Sequence, residues 1–208
     1  WCESLGSMEL PGSIVSIGDR AFADCSSLEN IILSEGIASM DDYVFSGCSS
    51  LKRLTIPKSV VSLGQGICSG CNGLEGIEVD GANQIYDSRD DCNAIIQTKG
   101  NILIAGCKNT SIPNGVEDIE SFAFENCSSL LEITIPESVK LVSSWAFWGC
   151  SGLEKILVDD GNQVYDSRNN CNAIIETEDN TLVVGCKNTV VPDGIAAVGN
   201  GAFLGRNG

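Results

Sequence analysis

Cysteine is the residue type with the most varied chemistry in this chain, which contains 11 cysteines and no histidine. Cys68 and Cys71 form a Cys-x-x-Cys pair, the spacing used in redox motifs and zinc sites. The sequence has no second pair of this spacing to complete a zinc site. Both cysteines also fall in repeated positions that we assign to the core below, where thiols behave as small apolar groups. We therefore predict no redox or metal chemistry at this pair.

Two further cysteine pairs have the spacing of cross-strand partners. Cys92 and Cys107 lie at equal distances from a turn centred on residues 99–100, and Cys171 and Cys186 repeat this arrangement around residues 178–179. If these segments are β-hairpins, each pair lies opposite across two strands, within range of a disulfide. Two outcomes stay open: a disulfide in each hairpin, which fits an extracellular setting, or free thiols on its inner face.

Other residue types offer little catalytic chemistry. Histidine, the commonest general base and an important metal ligand, is missing, and the chain has no Gly-x-Ser-x-Gly motif. The acidic turns at Asp90-Asp91 and Asp159–Asn162 lack the spaced acidic residues of a calcium loop, so we interpret them as solvated. We predict no enzymatic activity, no cofactor and no bound metal.

The charge balance limits the possible partners. With 12 basic and 28 acidic side chains, the chain has a formal net charge of −16. Such a charge repels nucleic-acid phosphates and anionic membrane surfaces. No apolar run approaches the roughly 20 residues that a membrane span needs. We predict a partner other than nucleic acid, no membrane insertion, and a preference for basic protein surfaces.

A 23-residue repeat positions these side chains. The cysteines at 25, 48 and 71 recur with this period, as do those at 127 and 150, and each precedes a leucine by three positions. Most units end in an aliphatic residue followed by proline. Counted from that aliphatic residue, position 11 holds a small or aliphatic side chain and position 12 holds phenylalanine. A fixed period with aliphatic columns indicates a solenoid, in which each coil covers the apolar face of its neighbour.

A longer period lies on top of the first. Two 33-residue units, at 79–111 and 158–190, share the motifs Tyr-Asp-Ser-Arg, Cys-Asn-Ala-Ile-Ile and Gly-Cys-Lys-Asn-Thr. In the first unit, the apolar runs Ala94–Ile96 and Leu103–Ala105 flank a polar turn, which predicts a β-hairpin. Each hairpin either stands in for the convex side of one coil or projects from it.

The unit pattern also predicts the sides of each coil. Leu-x-x-Ile-x-Ile alternates, as in Leu51–Ile56, and predicts a short strand that stacks into a parallel sheet. Opposite the sheet we expect short helices or 3₁₀ turns that carry the Ala-Phe pairs inward. Residues 1–208 are predicted to be one repeat domain. Because the chain opens in mid-repeat around Cys2 and stops at Gly208, we expect a segment of a longer polypeptide.

The combined pattern, Ile-Pro-x-x-Val-x-x-Ile-x-x-x-Ala-Phe-x-x-Cys-x-x-Leu-x-x-Ile, resembles the BspA-like leucine-rich repeat, also called the Treponema pallidum type. The resemblance implies a right-handed leucine-rich-repeat array on a bacterial or protist surface, or secreted. It further implies adhesion to host matrix proteins, epithelium or other microbes, and no catalytic motif. Ile67-Cys68 replaces one Ala-Phe pair, and Arg206 stands at the last cysteine position.

Two surfaces are candidates for binding. The first is the outward row of the strands, with alternation placing these side chains outside: Asn30, Ile32, Arg53, Thr55, Gly76, Glu78, Glu132, Thr134, Lys155 and Leu157. The second is an aromatic column, Tyr43, Phe122 and Trp145, with Trp148 beside it, since aromatic residues are enriched at interfaces. The alternatives are an ordinary solvated sheet face and an aromatic roof over the convex side of the core.

The leading hypothesis is a non-enzymatic extracellular or cell-surface module that binds another macromolecule. We expect a protein partner, such as a host matrix or cell-surface protein, held by shape and charge over an extended face. The alternative is a structural spacer within a larger surface protein, in which the recurring hairpins mediate self-association.

Overall fold

The computed structural model describes residues 4–205, so the predictions for Cys2 and Arg206 concern residues outside the described range. Strands along one side of the molecule are β1 (Ser7–Leu10), β3 (Asn30–Leu33), β5 (Arg53–Ile56), β7 (Gly76–Val79), β12 (Glu132–Ile135) and β14 (Lys155–Val158). Shorter strands along a second side are β2 (Ser16–Ile17), β4 (Ser39–Met40), β6 (Ser62–Leu63), β11 (Asp118–Ile119), β13 (Leu141–Val142) and β18 (Ala197–Val198). The hairpin units contain β8 (Tyr86–Asp87), β9 (Ala94–Gln97), β10 (Ile102–Gly106), β15 (Tyr165–Asp166), β16 (Ala173–Glu176) and β17 (Thr181–Gly185), with 3₁₀ turns at Arg89–Asp91 and Arg168–Asn170.

Parallel pairing at an offset of one coil organises the strands. Leu10 of β1 pairs with Leu33 of β3, and on the second side Ile17 pairs with Met40, which pairs with Leu63. The pair β12–β14 has the same offset, which joins Glu132 to Lys155. The sequence period is therefore also the pairing register, and the predicted solenoid with parallel sheets is confirmed.

Stacked leucines form the centre of the core. Leu28, Leu51 and Leu74 are almost completely buried in one apolar cluster, and Leu130 and Leu153 are buried in a second cluster. Full burial stabilises each of these side chains by about 1.5–3 kcal/mol relative to exposure. Because each leucine packs against its counterparts in neighbouring coils, stability comes mainly from the interfaces between coils.

The arcs opposite the strands are chains of tight turns and contain no α-helix within residues 4–205. In the first arc, Ala21 N donates to Gly18 O (3.2 Å) and Ala23 N donates to Arg20 O (3.0 Å), which are bonds of the 3₁₀ type. Arg20 and Asp24 have φ of +53° and +58°, and left-handed residues interrupt a helix. The sequence predicts either short helices or 3₁₀ turns opposite the sheet, and the arcs are turns. They direct the phenylalanines inward, where Phe124 and Phe147 stack with ring centroids 5.0 Å apart.

The repeat cysteines are buried, as the sequence predicts, and they also make hydrogen bonds. The Cys48 thiol donates to Phe22 O (3.1 Å), and the Cys71 thiol donates to Phe45 O (3.0 Å), in each case reaching the preceding coil. Burial raises the pKa of the Cys48 thiol to about 12, so it stays protonated and able to donate. This column therefore links the coils as well as filling the core.

Each hairpin is a layer inside the stack. In the first hairpin, β9 pairs antiparallel with β8 and β10, and β10 pairs in parallel with β11 of the following coil. Ile95 and Ile104 pack against the core of the preceding coils, whereas Ile96 and Leu103 pack against the core of the following coils. Both faces of the hairpin are therefore buried between coils.

The first hairpin takes the place of one turn arc, so the arcs before and after it meet directly. Gly70 N donates to Glu125 O (3.1 Å), and Ser128 N donates to Asn72 Oδ1 (2.7 Å), although the bonded residues are far apart in the chain. Gly106, at the end of β10, lies under the ring of Phe124 in the following arc. A Cβ at this glycine would be only 2.2 Å from Phe124 Cε1. The sequence analysis expects the hairpin either to replace the convex side of one coil or to project from it, and in the structure the hairpin replaces the arc.

The substitution Gly106→Ala should lower the free energy of unfolding by about 1–3 kcal/mol, because the added methyl group displaces the buried Phe124 ring. Gly185→Ala should lower it less, although a Cβ there would also be 2.2 Å from Phe203 Cε1, because Phe203 is 39% exposed and its ring can move into solvent. Thermal unfolding followed by circular dichroism measures both effects.

Gly81→Ala is the matched control, because a Cβ at Gly81 meets no atom within 4 Å. It should change the unfolding free energy by less than about 0.5 kcal/mol. Equal stability of the Gly106→Ala and Gly81→Ala variants would contradict the packing argument.

Candidate functional site

The strand face presents the outward side chains that the alternation predicts. Asn30, Ile32, Arg53, Thr55, Glu78, Glu132, Thr134 and Lys155 are exposed, while Leu157 is half-buried and Gly76 is buried. Strand pairing places these residues side by side on adjacent strands: Arg53 lies opposite Gly76, Thr55 opposite Glu78, and Thr134 opposite Leu157. Glu132 and Lys155 form an ion pair with Oε2 and Nζ 3.6 Å apart, an exposed interaction of at most about 1 kcal/mol.

This face is divided into two parts by the first hairpin unit. Between β7 and β12 lie the segment from Ser88 to Asn93 and the segment from Thr110 to Ile112, joined by the hydrogen bond from Ser111 N to Cys92 O (3.1 Å). Asp91 and Asn93 line a cleft of about 210 Å³ together with Arg53 and Glu78. The sequence interpretation treated Asp91 as part of a solvated turn and missed this contribution. The recurrence of the asparagine as Asn172 in the second hairpin unit was the available signal.

The repeated Tyr-Asp-Ser-Arg motif is a scaffold for the hairpin unit. The Tyr86 hydroxyl accepts a hydrogen bond from Leu63 N (3.1 Å), and Ser88 Oγ accepts one from Val79 N (3.0 Å). The Arg89 guanidinium binds both carboxylate oxygens of Asp87, at 2.9 and 2.7 Å. The second copy repeats these contacts, with the Tyr165 hydroxyl accepting from Val142 N (3.0 Å). These polar residues therefore make hydrogen bonds that hold the hairpin unit to the preceding coil and close its turn.

Asn83 performs a similar structural task that the sequence interpretation missed. Its buried amide donates to Pro57 O and Val60 O, both at 3.0 Å, and its Oδ1 accepts from Ile85 N and Tyr86 N. Asn162 has the corresponding bonds in the second unit. A buried carbonyl group without a hydrogen bond costs free energy. By binding such carbonyl groups, the asparagine stabilises the turn before each hairpin.

The hairpin cysteines are free thiols in the structure. Cys92 packs in the core of the following coils, whereas Cys107 packs in the core of the preceding coils. Cys171 and Cys186 are separated in the same way. A bridge within a hairpin would need a regular ladder up to the cysteines. A register shift between Leu103 and Ala105 breaks that ladder, and the two thiols lie on opposite sides of the hairpin.

The aromatic column consists of side chains with different degrees of exposure. Tyr43 and Phe122 are half-buried, with ring centroids 6.3 Å apart, and the Arg20 guanidinium lies 4.8 Å from the Tyr43 centroid. Trp145 is 45% exposed and meets Trp148 edge to face at 5.6 Å. Tyr43 and Phe122 therefore pack against each other over the core, whereas Trp145 keeps an exposed indole face.

A buried carboxylate lies where the arcs on either side of the first hairpin meet. Glu125 is 5% exposed, and its Oε2 has no hydrogen-bond partner. Burial raises the pKa of Glu125, while a hydrogen bond with Ser69 and the positive charge of Arg20 oppose this rise. The same carboxylate contributes to the raised pKa of Tyr43, whose main cause is burial.

The acidic turns do not assemble a metal site within residues 4–205, where no three cysteine or acidic side chains are grouped so as to hold a metal ion. Across the same residues, no helix has the length and apolar character needed to cross a membrane.

Comparison with known proteins gives a consistent result. The profile of the BspA-type leucine-rich repeat region matches residues 1–90 and 104–182 in six copies. The structure is similar to that of a leucine-rich cell surface protein of Faecalibacterium prausnitzii A2-165, with 29% identity, a TM-score of 0.64, and coverage of 74% of this chain and 42% of the other. It also resembles the pneumococcal vaccine antigen PcpA, with 22% identity, a TM-score of 0.66, and coverage of 97% and 48%. The chain thus spans less than half the length of either protein. No curated protein sequence matches the chain.

Thiol chemistry tests the position of the hairpin cysteines. Alkylation under denaturing conditions without a reducing agent should modify Cys92, Cys107, Cys171 and Cys186 completely, because each pair is held apart on two sides of its hairpin. Peptide mass spectrometry measures the modification. The reduced protein serves as the control, and a Cys92–Cys107 peptide that appears only without reduction would contradict the structure.

The substitution Glu125→Gln should raise the free energy of unfolding at pH 7 by about 1 kcal/mol, because it removes a buried charge while keeping a hydrogen-bonding side chain. An acid with a raised folded-state pKa destabilises the protein at high pH, and this penalty disappears as the pH falls through that pKa. The advantage of the variant should therefore shrink between pH 7 and pH 4.5. Urea unfolding at several pH values measures it, with exposed Glu178→Gln as control. An advantage independent of pH would contradict the assignment.

Proposed function

This chain belongs to the BspA-type leucine-rich repeat family, and we propose that it acts as a non-enzymatic module that binds another protein at a cell surface or outside the cell. We further propose that residues 1–208 act as one repeat domain. The adhesion role implied by the sequence resemblance is part of this proposal, with a host matrix or cell-surface protein as partner.

The observation that carries the proposal is the strand face. Pairing gives Thr55 on β5 and Glu78 on β7 fixed relative positions. The hydrogen bond from Lys52 N to Glu29 O (3.2 Å) joins these strands to the coil of β3, which carries Asn30 and Ile32, so the exposed side chains form one extended surface. A rigid face loses little entropy on binding, and a few of its side chains can then supply most of the affinity. Extended surfaces of this kind are the usual binding sites of repeat proteins.

Charge defines the kind of partner. The chain has a net charge of −16, and its strand face carries the exposed acids Glu78 and Glu132 together with the exposed bases Arg53 and Lys155. Opposite charge on a partner accelerates association and gives it a dependence on salt. A protein with a basic binding surface is therefore the partner that the net charge of the chain favours.

Support for a cellular location comes from the relatives. The F. prausnitzii protein is described as a cell surface protein, and PcpA as a vaccine antigen. Both descriptions belong to longer proteins, and we extend a surface or extracellular location to this chain on that basis.

The substitution Glu78→Lys tests the proposed face. Against a panel of purified matrix and epithelial surface proteins, the chain should bind at least one member, and Glu78→Lys should weaken that binding roughly tenfold by introducing like charge at the interface. Surface plasmon resonance at two salt concentrations measures the effect, and the wild-type affinity should fall at high salt.

Glu178→Lys is the matched control, because Glu178 is exposed in the turn of the second hairpin, away from the strand face. It changes the net charge equally and should alter affinity less than about twofold. Equal loss in both variants would mean that net charge alone attracts the partner. No binding to the panel, together with concentration-dependent dimers in light scattering, would replace this proposal by the self-associating spacer.

A further inference from the structure

One backbone position in the turn arcs is left-handed in every arc of the described residues. It is occupied, with φ between +53° and +72°, by Arg20, Tyr43, Gly66, Phe122, Trp145 and Gly201. Glycine adopts this conformation readily, whereas a side chain at this φ meets the neighbouring carbonyl group. A bulky residue at this position is therefore under steric strain that its other contacts must offset.

The contacts offset this strain for three of the four non-glycine residues. The Arg20 guanidinium stacks on the Tyr43 ring, and the half-buried rings of Tyr43 and Phe122 pack together. Trp145 has the largest apolar side chain of the set and the most positive φ of the non-glycine residues, +70°, yet remains 45% exposed. Its contact with Trp148 leaves much of the indole uncovered. Strain that folding does not offset is a recognised mark of a functional position.

The exposed indole borders a cleft of about 160 Å³ between successive turn arcs. Trp148, Val183 of β17 and the segment Gly199–Gly201 form the other sides, and the polar side chains at its edge are Ser143, Ser144 and Asn200. None of the residues lining this cleft is charged, although the chain carries a net charge of −16. The cleft therefore favours an uncharged, apolar group with a polar edge.

Another pair of arcs in the same chain shows which side chain packs on a Gly-x-Gly segment. In Gly64–Gly66, a Cβ on Gly66 would be 2.4 Å from Cε1 of the Tyr43 ring, so the tyrosine ring covers the second glycine of this Gly-Gln-Gly segment. Gly199–Gly201 has the same Gly-x-Gly spacing, but the nearest atom to a Cβ on Gly201 would be Leu204 Cβ at 3.8 Å. The indole of Trp145 thus stands beside the second segment and does not cover it.

We propose that the cleft formed by Trp145, Trp148 and Gly199–Gly201 binds an aromatic side chain, a tyrosine or phenylalanine, of a partner protein. The ring lies on the glycine floor as Tyr43 does in the first arc pair, and it stacks against the indole in an offset or edge-to-face arrangement. Ser144 and Asn200 at the edge can hydrogen-bond to a phenol hydroxyl or to the partner's backbone. This inference rests on the proposed protein-binding function and adds a second contact, remote from Glu78, to it.

N-acetyl-L-tyrosinamide is the probe for the cleft. In proton–nitrogen NMR spectra, it should shift the indole N–H signal of Trp145 to saturation with a dissociation constant on the order of 1–10 mM, as expected for one small group. N-acetyl-L-leucinamide, which lacks the ring, should bind at least about fivefold more weakly. Equal shifts with both compounds would reduce the cleft to a general apolar patch.

The substitution Trp145→Gly separates binding from folding. Because glycine occupies the same left-handed position at Gly66 and Gly201, the variant should keep or raise the melting temperature and lose the effect of the probe on the Trp148 signal. Phe122→Gly is the matched control, since it removes a packed ring. It should lower the melting temperature and leave probe binding unchanged.

The remaining outcomes decide against the inference. A lower melting temperature for Trp145→Gly with unchanged probe binding would make Trp145 a packing residue. Saturable binding of methyl α-glucopyranoside without binding of tyrosinamide would make the cleft a carbohydrate site. If tyrosinamide fails while Glu78→Lys still weakens binding to the whole partner, this inference falls and the proposed function stands. If the partner binds normally to Trp145→Gly, the cleft is not part of the interface.

Discussion

Hydrogen bonding between coils at a constant offset of one repeat unit is the constraint on which the structure depends. Because the strands that pair in parallel along each side lie one unit apart, equivalent positions of these coils lie side by side. A residue must therefore suit both its own coil and a stack of similar residues. Leucine and phenylalanine satisfy this by packing, and cysteine satisfies it by packing and by donating its thiol proton to the preceding coil.

The hairpin units break this period and are accommodated by replacing an arc. A hairpin unit is longer than an ordinary coil and cannot follow the same path, so the extra chain forms strands that fill the layer while its arc is omitted. The polar residues of the unit make this possible: Asn83 closes the turn, Tyr86 and Ser88 bind the adjacent coil, and Gly106 leaves room for Phe124. The polar motifs of the hairpin units thus make the contacts that join each unit to the adjacent coil.

The two exposed surfaces proposed for binding, the strand face and the cleft beside Trp145, differ in size and charge. The strand face is extended and charged, and its geometry suits electrostatic recognition over several coils. The cleft beside Trp145 is small and uncharged, and suits one apolar group. Glu125 lies between the arcs that meet over the first hairpin, where burial raises the pKa of its carboxyl group. A module with both surfaces can combine long-range attraction with a local contact.

Spacing alone determined the repeat, the inward leucines such as Leu51, the outward residues such as Arg53, and the presence of the hairpins, because periodicity directly reports which side chains share a face. Only the tertiary structure decided where the hairpins sit and which thiols face each other. Cys92 and Cys107 are symmetric in sequence, but a register shift separates them, and no local pattern reveals such a shift. The exposure of Trp145 was likewise decided by the next arc, since its cover depends on Gly199–Gly201, which lies far along the chain.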